Sequence, residues 1–345
     1  MRPSRRRFLT LTASCAAAPG LSVAGARAAT PVEPVVWRGL AMGAVASMTL
    51  VHPDRVHARA LVARCIEEIG RLEAVFSLYR PDSALSRLNA SGALHDPPTD
   101  LVRLLSFALS LARRSDGAFD PTVQPLFRLY ADHFARLGAA PSGPPGRAIA
   151  ATLDRVGFGA VELGSDRIRF ARPGMAITLN GIAQGYVTDR VADLLRAGGM
   201  TDVLVDLGEA HAVGRRPDGA PWRAAVSDPA RPGRSLFELP LGSDPGSLPA
   251  LATSAGQGMR FGPDARVHHL FDPRSGRSAN HHASVSVAAP NATLADGLAT
   301  ALSVLAPARA ASLLADYPSA RAWFVDAARG VTMRGARDGP GASAA

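Results

Sequence analysis

The chain has 345 residues, 47% of them apolar and 19% charged, so a sizeable core is available and whole-chain disorder is excluded. All 38 basic residues are Arg; without Lys there is no Schiff-base lysine, no Walker A lysine and no Ser-Lys dyad. Residues 1–29 hold five Arg and no acid, so the formal charge of +9 falls to +4 beyond them, 33 Arg against 29 acids. No basic run with interleaved aromatics remains there, and nucleic acid is not expected as a partner.

The N-terminus reads as an address. Ser4-Arg5-Arg6-Arg7-Phe8-Leu9 is a twin-arginine pattern, an apolar stretch follows to Ala18, and Ala26-Arg27-Ala28 is a small-x-small cleavage site. The apolar stretch is about eleven residues, short of the roughly 20 that a spanning helix needs. Residues 1–29 are therefore expected to be a twin-arginine signal peptide, and the mature protein to be periplasmic, with no stable membrane anchor after cleavage. Cys15 falls in the signal. Cys65 is then alone, at an apolar position of a helical pattern, which predicts a buried thiol and no internal disulfide.

Along the mature chain, residues 43–51 read as a strand. A helix follows from about Pro53, with Val62, Ile66, Ile69, Leu72 and Phe76 at three-to-four spacing. Asp82 is expected to cap a short helix through Leu88, and Thr99 another over 100–115 that ends at Gly117. Residues 121–137 look helical, with Pro121 in the first turn. A Pro/Gly-rich loop is expected over 138–147 and a hairpin over 159–171. A strand 175–179 is expected to run into a helix 182–197 closed by Gly198-Gly199. Strands are then expected at 202–207, 211–214, 222–227, 235–240, 267–271 and 283–289. Helices 292–305 and 307–315 precede strands 320–326 and 330–334, and the small, polar tail from Gly335 reads as frayed. Without βαβαβ alternation, the pattern predicts an α+β fold with mainly antiparallel sheets.

Several stretches carry chemistry-bearing residues. Asp296 and Thr300 are four apart on a predicted helix and share a face, so a carboxylate and a hydroxyl there can hold a hard cation with a backbone carbonyl. In Gly117-Ala118-Phe119-Asp120-Pro121-Thr122 one helix closes and the next opens, leaving amides for an anion or a ring edge. Leu179-Asn180-Gly181-Ile182-Ala183-Gln184-Gly185-Tyr186 lies at a strand-to-helix junction where Gly181 and Gly185 permit close backbone approach. It is not a GxGxxG dinucleotide turn. His268 and His269 are adjacent on a predicted strand and point to opposite faces, so a joint metal site is not expected there, nor at His281-His282.

The order of these stretches is more specific than any one of them. From about Trp37 to Met333 the chain resembles the ApbE family of FAD:protein FMN transferases. The matching stretches are FSLYRPDS at 76–83 with LSRLN at 85–89, GAFDPTVQPL at 117–126, LNGIAQGYVTDRV at 179–191, LVDLGE at 204–209, ATSAG at 252–256, HLFDPRSG at 269–276 and ADGLATAL at 295–302. The resemblance implies a T-fold-like architecture over 30–334 with FAD between two halves. It also implies Mg-dependent transfer of FMN from FAD onto a Thr or Ser hydroxyl of a target protein, releasing AMP. By matching motifs, Asp296, Thr300 and the Gly181 carbonyl would hold the metal. Met42, Tyr79, Ala118, Phe119, Asp120, Thr178, Gln184 and Leu270 would line FAD, and His269 and Asp272 would stand near the reacting phosphate.

His269 is the candidate base, because the unperturbed imidazole pKa lies near operating pH; a structural His269 bonded within the turn is the other reading. Arg274 is the nearest candidate counter-charge for a phosphate. The chain departs from the family pattern at Thr178, commonly Asp, at Gln184, commonly Lys or Glu, at Ala299, where some members carry a carboxylate, and at Glu209, commonly Gly. The exported branch of the resemblance implies a NosR-like acceptor, or an Rnf- or Nqr-type subunit, with a Ser/Thr-Gly-Ala-Ser/Thr motif. On the same site, an FAD pyrophosphatase giving FMN and AMP, or an FAD-binding protein without turnover, are the alternatives.

Overall fold

The computed structural model describes residues 32–335 except 232 and 243. The expected signal peptide, with Cys15, and the expected tail beyond Gly335 lie outside the described residues. In chain order the elements are β1 (Val35–Ala41), β2 (Ala44–Val51), α1 (Arg55–Phe76), α2 (Ala84–Ser91), β3 (Ala93–His95), α3 (Thr99–Arg114), α4 (Gln124–Phe134), α5 (Gly146–Leu153), β4 (Val161–Leu163), β5 (Arg167–Phe170), α6 (Ala183–Ala197), β6 (Asp202–Asp206), β7 (Ala210–Val213), β8 (Trp222–Ser227) and β9 (Ser235–Leu241). They continue with β10 (Ala250–Ala255), β11 (Phe271–Asp272), β12 (Arg277–Ser278), β13 (Ser284–Ala289), α7 (Ala292–Val304), α8 (Pro307–Ala315), β14 (Arg321–Val325) and β15 (Val331–Arg334).

The main sheet has eight strands in the order β1-β2-β6-β7-β10-β13-β14-β15, and every pairing is antiparallel. The smaller pairings β3-β5-β4, β8-β9 and β11-β12 are antiparallel too, which bears out the α+β reading. Side chains alternate across a strand, and β6 shows what each face meets. Val203 and Val205 join the large core made with α1, α3, α6 and α7. Leu204 joins a second core with Trp222, Val226 and Leu241 of the β8–β9 hairpin. The sheet is thus sandwiched between helices and a hairpin, and its central strands are buried on both faces. Cys65 is buried in α1, and burial pushes its thiol up to about 12.

Local sequence explains most of the boundaries. Asp54 caps α1 by accepting from the His57 N–H at 2.9 Å. The β1–β2 turn is Met42-Gly43 with φ of 51° and 82°, the two positive φ values that a tight I′ hairpin requires. Several expectations are corrected. Ser83, not Asp82, caps α2; Asp82 pairs with Arg80 at 3.0 Å instead. Thr99 is the first residue of α3, whose N-cap, Pro98, makes no side-chain bond. Pro121–Val123 is a 3₁₀ turn, and α4 begins only at Gln124.

Segment 175–179 is not a strand. Its ladder positions are taken by a side chain: Asn89 Oδ1 accepts from the Ile177 N–H at 2.7 Å and its Nδ2 donates to the Ile177 carbonyl at 2.8 Å. The expected strand 267–271 shrinks to β11, because the Ser278 hydroxyl takes the His268 N–H and the Met259 carbonyl takes that of His269. Strands β1, β3, β10 and β12 and helix α5 were not expected.

Helices α6 and α7 run antiparallel, since Gly181, Gly185 and Asp189 meet Thr300, Asp296 and Ala292 in turn. A Cβ on Gly185 would lie 2.3 Å from the Ala292 carbonyl oxygen and 2.9 Å from Asp296 Cβ. Backbone faces backbone there, so neither side can yield. Gly185→Ala is expected to cost about 2 kcal/mol by overpacking, read as a lower urea midpoint with an unchanged m-value. A midpoint equal to that of the natural chain would show that the two helices are not held this tightly.

Candidate active site

The site grows from this helix contact. Leu179 accepts the N–H groups of Ile182 and Ala183, which turns the chain at Asn180-Gly181 and starts α6. The turn leaves the Gly181 carbonyl facing α7, where Thr300 Oγ1 donates to it at 3.2 Å. Thr300 Oγ1 also lies 3.3 Å from Ser254 Oγ of β10. A Cβ on Gly181 would sit 2.9 Å from Thr300 Oγ1, so only glycine lets the backbone come this close.

One turn earlier on the same face of α7, Asp296 Oδ2 accepts from the Gly185 N–H at 3.1 Å. Asp296 is 4% exposed and has no ion pair among the described residues. Burial pushes its carboxyl up to about 7, with the Gly185 N–H opposing and Asp189 adding to the rise. Two more buried acids lie nearby. Asp206 is pushed up to about 6 by burial. Glu209 is raised by burial first and then by the charges of Asp296 and Asp206.

These residues fit a hard divalent cation. The donors are a carboxylate, a hydroxyl and a carbonyl, all oxygen, and Asp296 keeps one oxygen without a hydrogen-bond partner. No group of three or more His, Cys, Asp or Glu among the described residues is arranged to hold a metal. Three oxygen donors would leave positions for water or phosphate oxygens, which suits a small hard ion better than metals that favour nitrogen or sulfur.

Of the residues expected to line a flavin, Thr178, Gln184 and the 118–122 loop lie about the start of α6, whereas Met42, Tyr79 and Leu270 come from other parts of the fold. The Thr178 N–H donates to the Pro121 carbonyl at 2.7 Å, which joins the 178–181 turn to the 118–122 loop. In that loop Ala118 and Phe119 are buried in the large core. The Asp120 carboxylate is used internally: it accepts from Thr122 N and Oγ1 and from the Phe158 N–H. Asp120 therefore shapes the loop through its own carboxylate, whose hydrogen bonds are all made within the protein. Gln184 sits in the first turn of α6 against Gly208; a Cβ there would be 2.5 Å from Gln184 Nε2. Met42 is fixed through its N–H to Glu73 Oε1 at 2.7 Å. Tyr79, 65% exposed, follows α1.

His269, Leu270 and Asp272 come from a lobe with its own core of Leu126, Tyr130, Ile149, Val156, Val267 and Phe271. The lobe is tethered to β10. Only Ala255 separates Ser254 from Gly256, which packs so closely on the His268 ring that a Cβ would be 2.5 Å from His268 Cδ2. Met259 follows, and its carbonyl lies 3.2 Å from His269 Nδ1. A carbonyl can only accept, so Nδ1 carries the proton and Nε2 keeps its lone pair. Burial lowers the His269 pKa, opposed by the Met259 carbonyl, so the ring is neutral at pH 7. His268 is pushed down to about 4, mainly by burial. Leu270 is buried, with its N–H on His268 Nδ1. Asp272 Oδ1 accepts from Arg274 Nε at 2.8 Å, so the expected phosphate counter-charge is already paired with a carboxylate. Sequence reasoning did not single out Ser254 as a donor, although it lies inside the ATSAG stretch.

A model of the ApbE family matches residues 42–324. The FAD:protein FMN transferase of Treponema pallidum is 31% identical over 290 residues, 77% of this chain and 78% of that protein. The FAD:protein FMN transferase of Klebsiella pneumoniae is 28% identical over 296 residues, 82% and 83% of the two chains. Among solved structures, the flavin transferase ApbE of Vibrio cholerae superposes with a TM-score of 0.75 at 26% identity, covering 89% of this chain and 98% of that one. The apo form of the Pseudomonas stutzeri flavinyl transferase ApbE gives 0.72 at 29%, covering 90% and 97%. With the family model spanning most of the chain and the relatives matched over most of both lengths, the chain belongs to the ApbE family.

Proposed function

We propose that this chain is an FAD:protein FMN transferase that moves FMN from FAD onto a Ser or Thr hydroxyl of an acceptor protein and releases AMP. The observation that carries this reading is the buried Asp296, free of any cationic partner among the described residues and one turn from the Thr300–Gly181 contact. Asp296, Thr300 and the Gly181 carbonyl would hold Mg²⁺. The chemistry supplied there by the bound ion is neutralisation of charge on the pyrophosphate oxygens.

The chain's own residues do the rest. The glycine turn at Gly181 and the backbone of the 118–122 loop receive the substrate, and the Asp296 face of α7 sets where its phosphates lie. The acceptor oxygen forms a bond to the phosphorus of the FMN half while the bond from that phosphorus to the bridging oxygen breaks. The bridging oxygen leaves with AMP. His269, neutral with its Nε2 lone pair free, takes the hydroxyl proton. Asp272 holds Arg274 and the β11–β12 turn in place beside it. The twin-arginine pattern supports export, so the acceptor would be a periplasmic or membrane-bound electron-transfer flavoprotein. A NosR-like protein, or an Rnf- or Nqr-type subunit with the Ser/Thr-Gly-Ala-Ser/Thr motif, fits that description.

The direct test mixes the mature chain, FAD and Mg²⁺ with a flavin-domain fragment bearing that motif and reads the acceptor by mass spectrometry. A covalent FMN adduct is expected, absent with EDTA and at least a hundredfold slower with Asp296→Ala. AMP released without an adduct would point to hydrolysis, and bound FAD without either product to storage.

The pH profile tests the base. Because burial lowers the His269 pKa below 6.5, the base form dominates above that pH. Transfer should be flat near neutrality and fall only on the acid side of 6.5. His269→Gln should slow transfer on the order of 10²–10⁴-fold and remove that acid limb. A limb that persists in the variant would assign the proton to another group.

A further inference from the structure

Glu209 is a carboxylate in an unusual place. It precedes β7, whose Ala210 and Ala212 pack toward the hairpin; by alternation Glu209 and His211 face the helices. His211 bears this out, with Nδ1 2.8 Å from Asp189 Oδ1 of α6. One turn back along α6 from Asp189 is Gly185, whose N–H holds Asp296. The Glu209 carbonyl lies 3.4 Å from the Thr188 hydroxyl of the same helix. Glu209 is therefore brought in under the first turns of α6, on the side where Asp296 arrives from α7.

Its hydrogen bonding is incomplete. Glu209 is 7% exposed. Oε2 accepts from the Thr253 N–H at 3.2 Å, next to the Ser254 that touches Thr300, and Oε1 has no hydrogen-bond partner among the described residues. Asp296 Oδ1 is in the same condition. No Arg or His among the described residues pairs with either acid; the neighbouring charges that act on Glu209 are Asp296 and Asp206, both of its own sign. Two largely buried carboxylates of like charge, each with one oxygen that no protein group donates to, favour a cation nearby. Asp206 follows Leu204 on the hairpin face by alternation, and its Oδ1 takes the Gly208 N–H, so it does not complete the pair.

We propose that Glu209 supplies a second carboxylate to the divalent-cation site of Asp296, Thr300 and Gly181, binding the ion directly or through one of its waters. This rests on the metal-dependent reading above. Ala299, beside Thr300, has no side-chain oxygen, and its carbonyl already accepts from the Ser303 hydroxyl. In this chain the second negative charge comes instead from the sheet, across α6, and raises the charge that the site presents to the cation.

The test needs no turnover. Mn²⁺ binding to the full mature chain without FAD is followed by calorimetry and by the loss of the free-ion electron paramagnetic resonance signal. The melting temperature is read with and without Mn²⁺. Glu209→Gln keeps shape and removes charge; it should weaken Mn²⁺ at least tenfold, raise the melting temperature of the metal-free protein and shrink the rise caused by Mn²⁺. Glu209→Ala should weaken Mn²⁺ likewise, so the result does not hang on one variant. Asp296→Ala serves as the control for the site itself. If both Glu209 variants bind within twofold of the natural chain while Asp296→Ala does not bind, Glu209 is not part of the site and the proposal falls. If Asp296→Ala also binds unchanged, the metal reading of the whole site falls with it.

Discussion

The contact between α6 and α7 at Gly185 is the constraint on which the site depends. The helices come so close that the Gly185 N–H reaches the Asp296 carboxylate and a side chain there would collide with the Ala292 backbone. The same closeness, repeated one turn on at Gly181 and Thr300, brings a carbonyl of one helix start onto a hydroxyl of the other helix. Further along, Asp189 accepts from the N–H groups of Ala292 and Thr293 and fixes the sliding position of α7. Three polar tethers, spaced along one antiparallel contact, thus set the register that brings Asp296 and Thr300 to the mouth of α6.

That register carries an electrostatic cost. A carboxylate removed from water without a counter-ion loses several kcal/mol of solvation, and Asp296 and Glu209, with Asp206 on the other face of the sheet, are buried with no arginine paired to them among the described residues, although the chain has 38 of them. Arginines elsewhere are paired freely, as Arg71 is with Glu68 and Asp100. The exclusion is local, and it separates the ion pairs that hold the fold from buried acids without a cationic partner, as functional sites often show. On the proposed reading, stability given up at this point would become affinity for the cation.

Much of this was legible in the sequence because it is local. Asp296 and Thr300 share a face by spacing alone, Gly181 and Gly185 mark close approach, and α1, α6 and α7 follow from apolar periodicity. What was missed is non-local. The segment 175–179 looks like a strand, and nothing near it signals that Asn89, 88 residues away, occupies its backbone. Strand β10 escaped because Ala-Leu-Ala-Thr-Ser-Ala is small and buried on both faces, so it shows no alternation. Glu209 was visible as a departure from the family pattern, but only the fold puts it beside Asp296.

The two chemical halves of the site rest on different cores. The Asp296–Thr300 side belongs to the large core beneath α6 and α7, whereas His269 and Asp272 belong to the aromatic lobe, where Tyr130 donates to the Gly276 carbonyl and packs on Phe261 and Phe271. Side chains within one core keep their mutual distances because interiors are close-packed. Distances between cores depend on the connection, here the short run from Ser254 through Gly256 to Met259. Gly256 admits the His268 ring against its bare Cα, and Met259 holds the His269 ring by one carbonyl. The His269 ring is therefore held from the strand that also carries Ser254 onto Thr300, so a few residues of backbone link the proposed base to the proposed cation site.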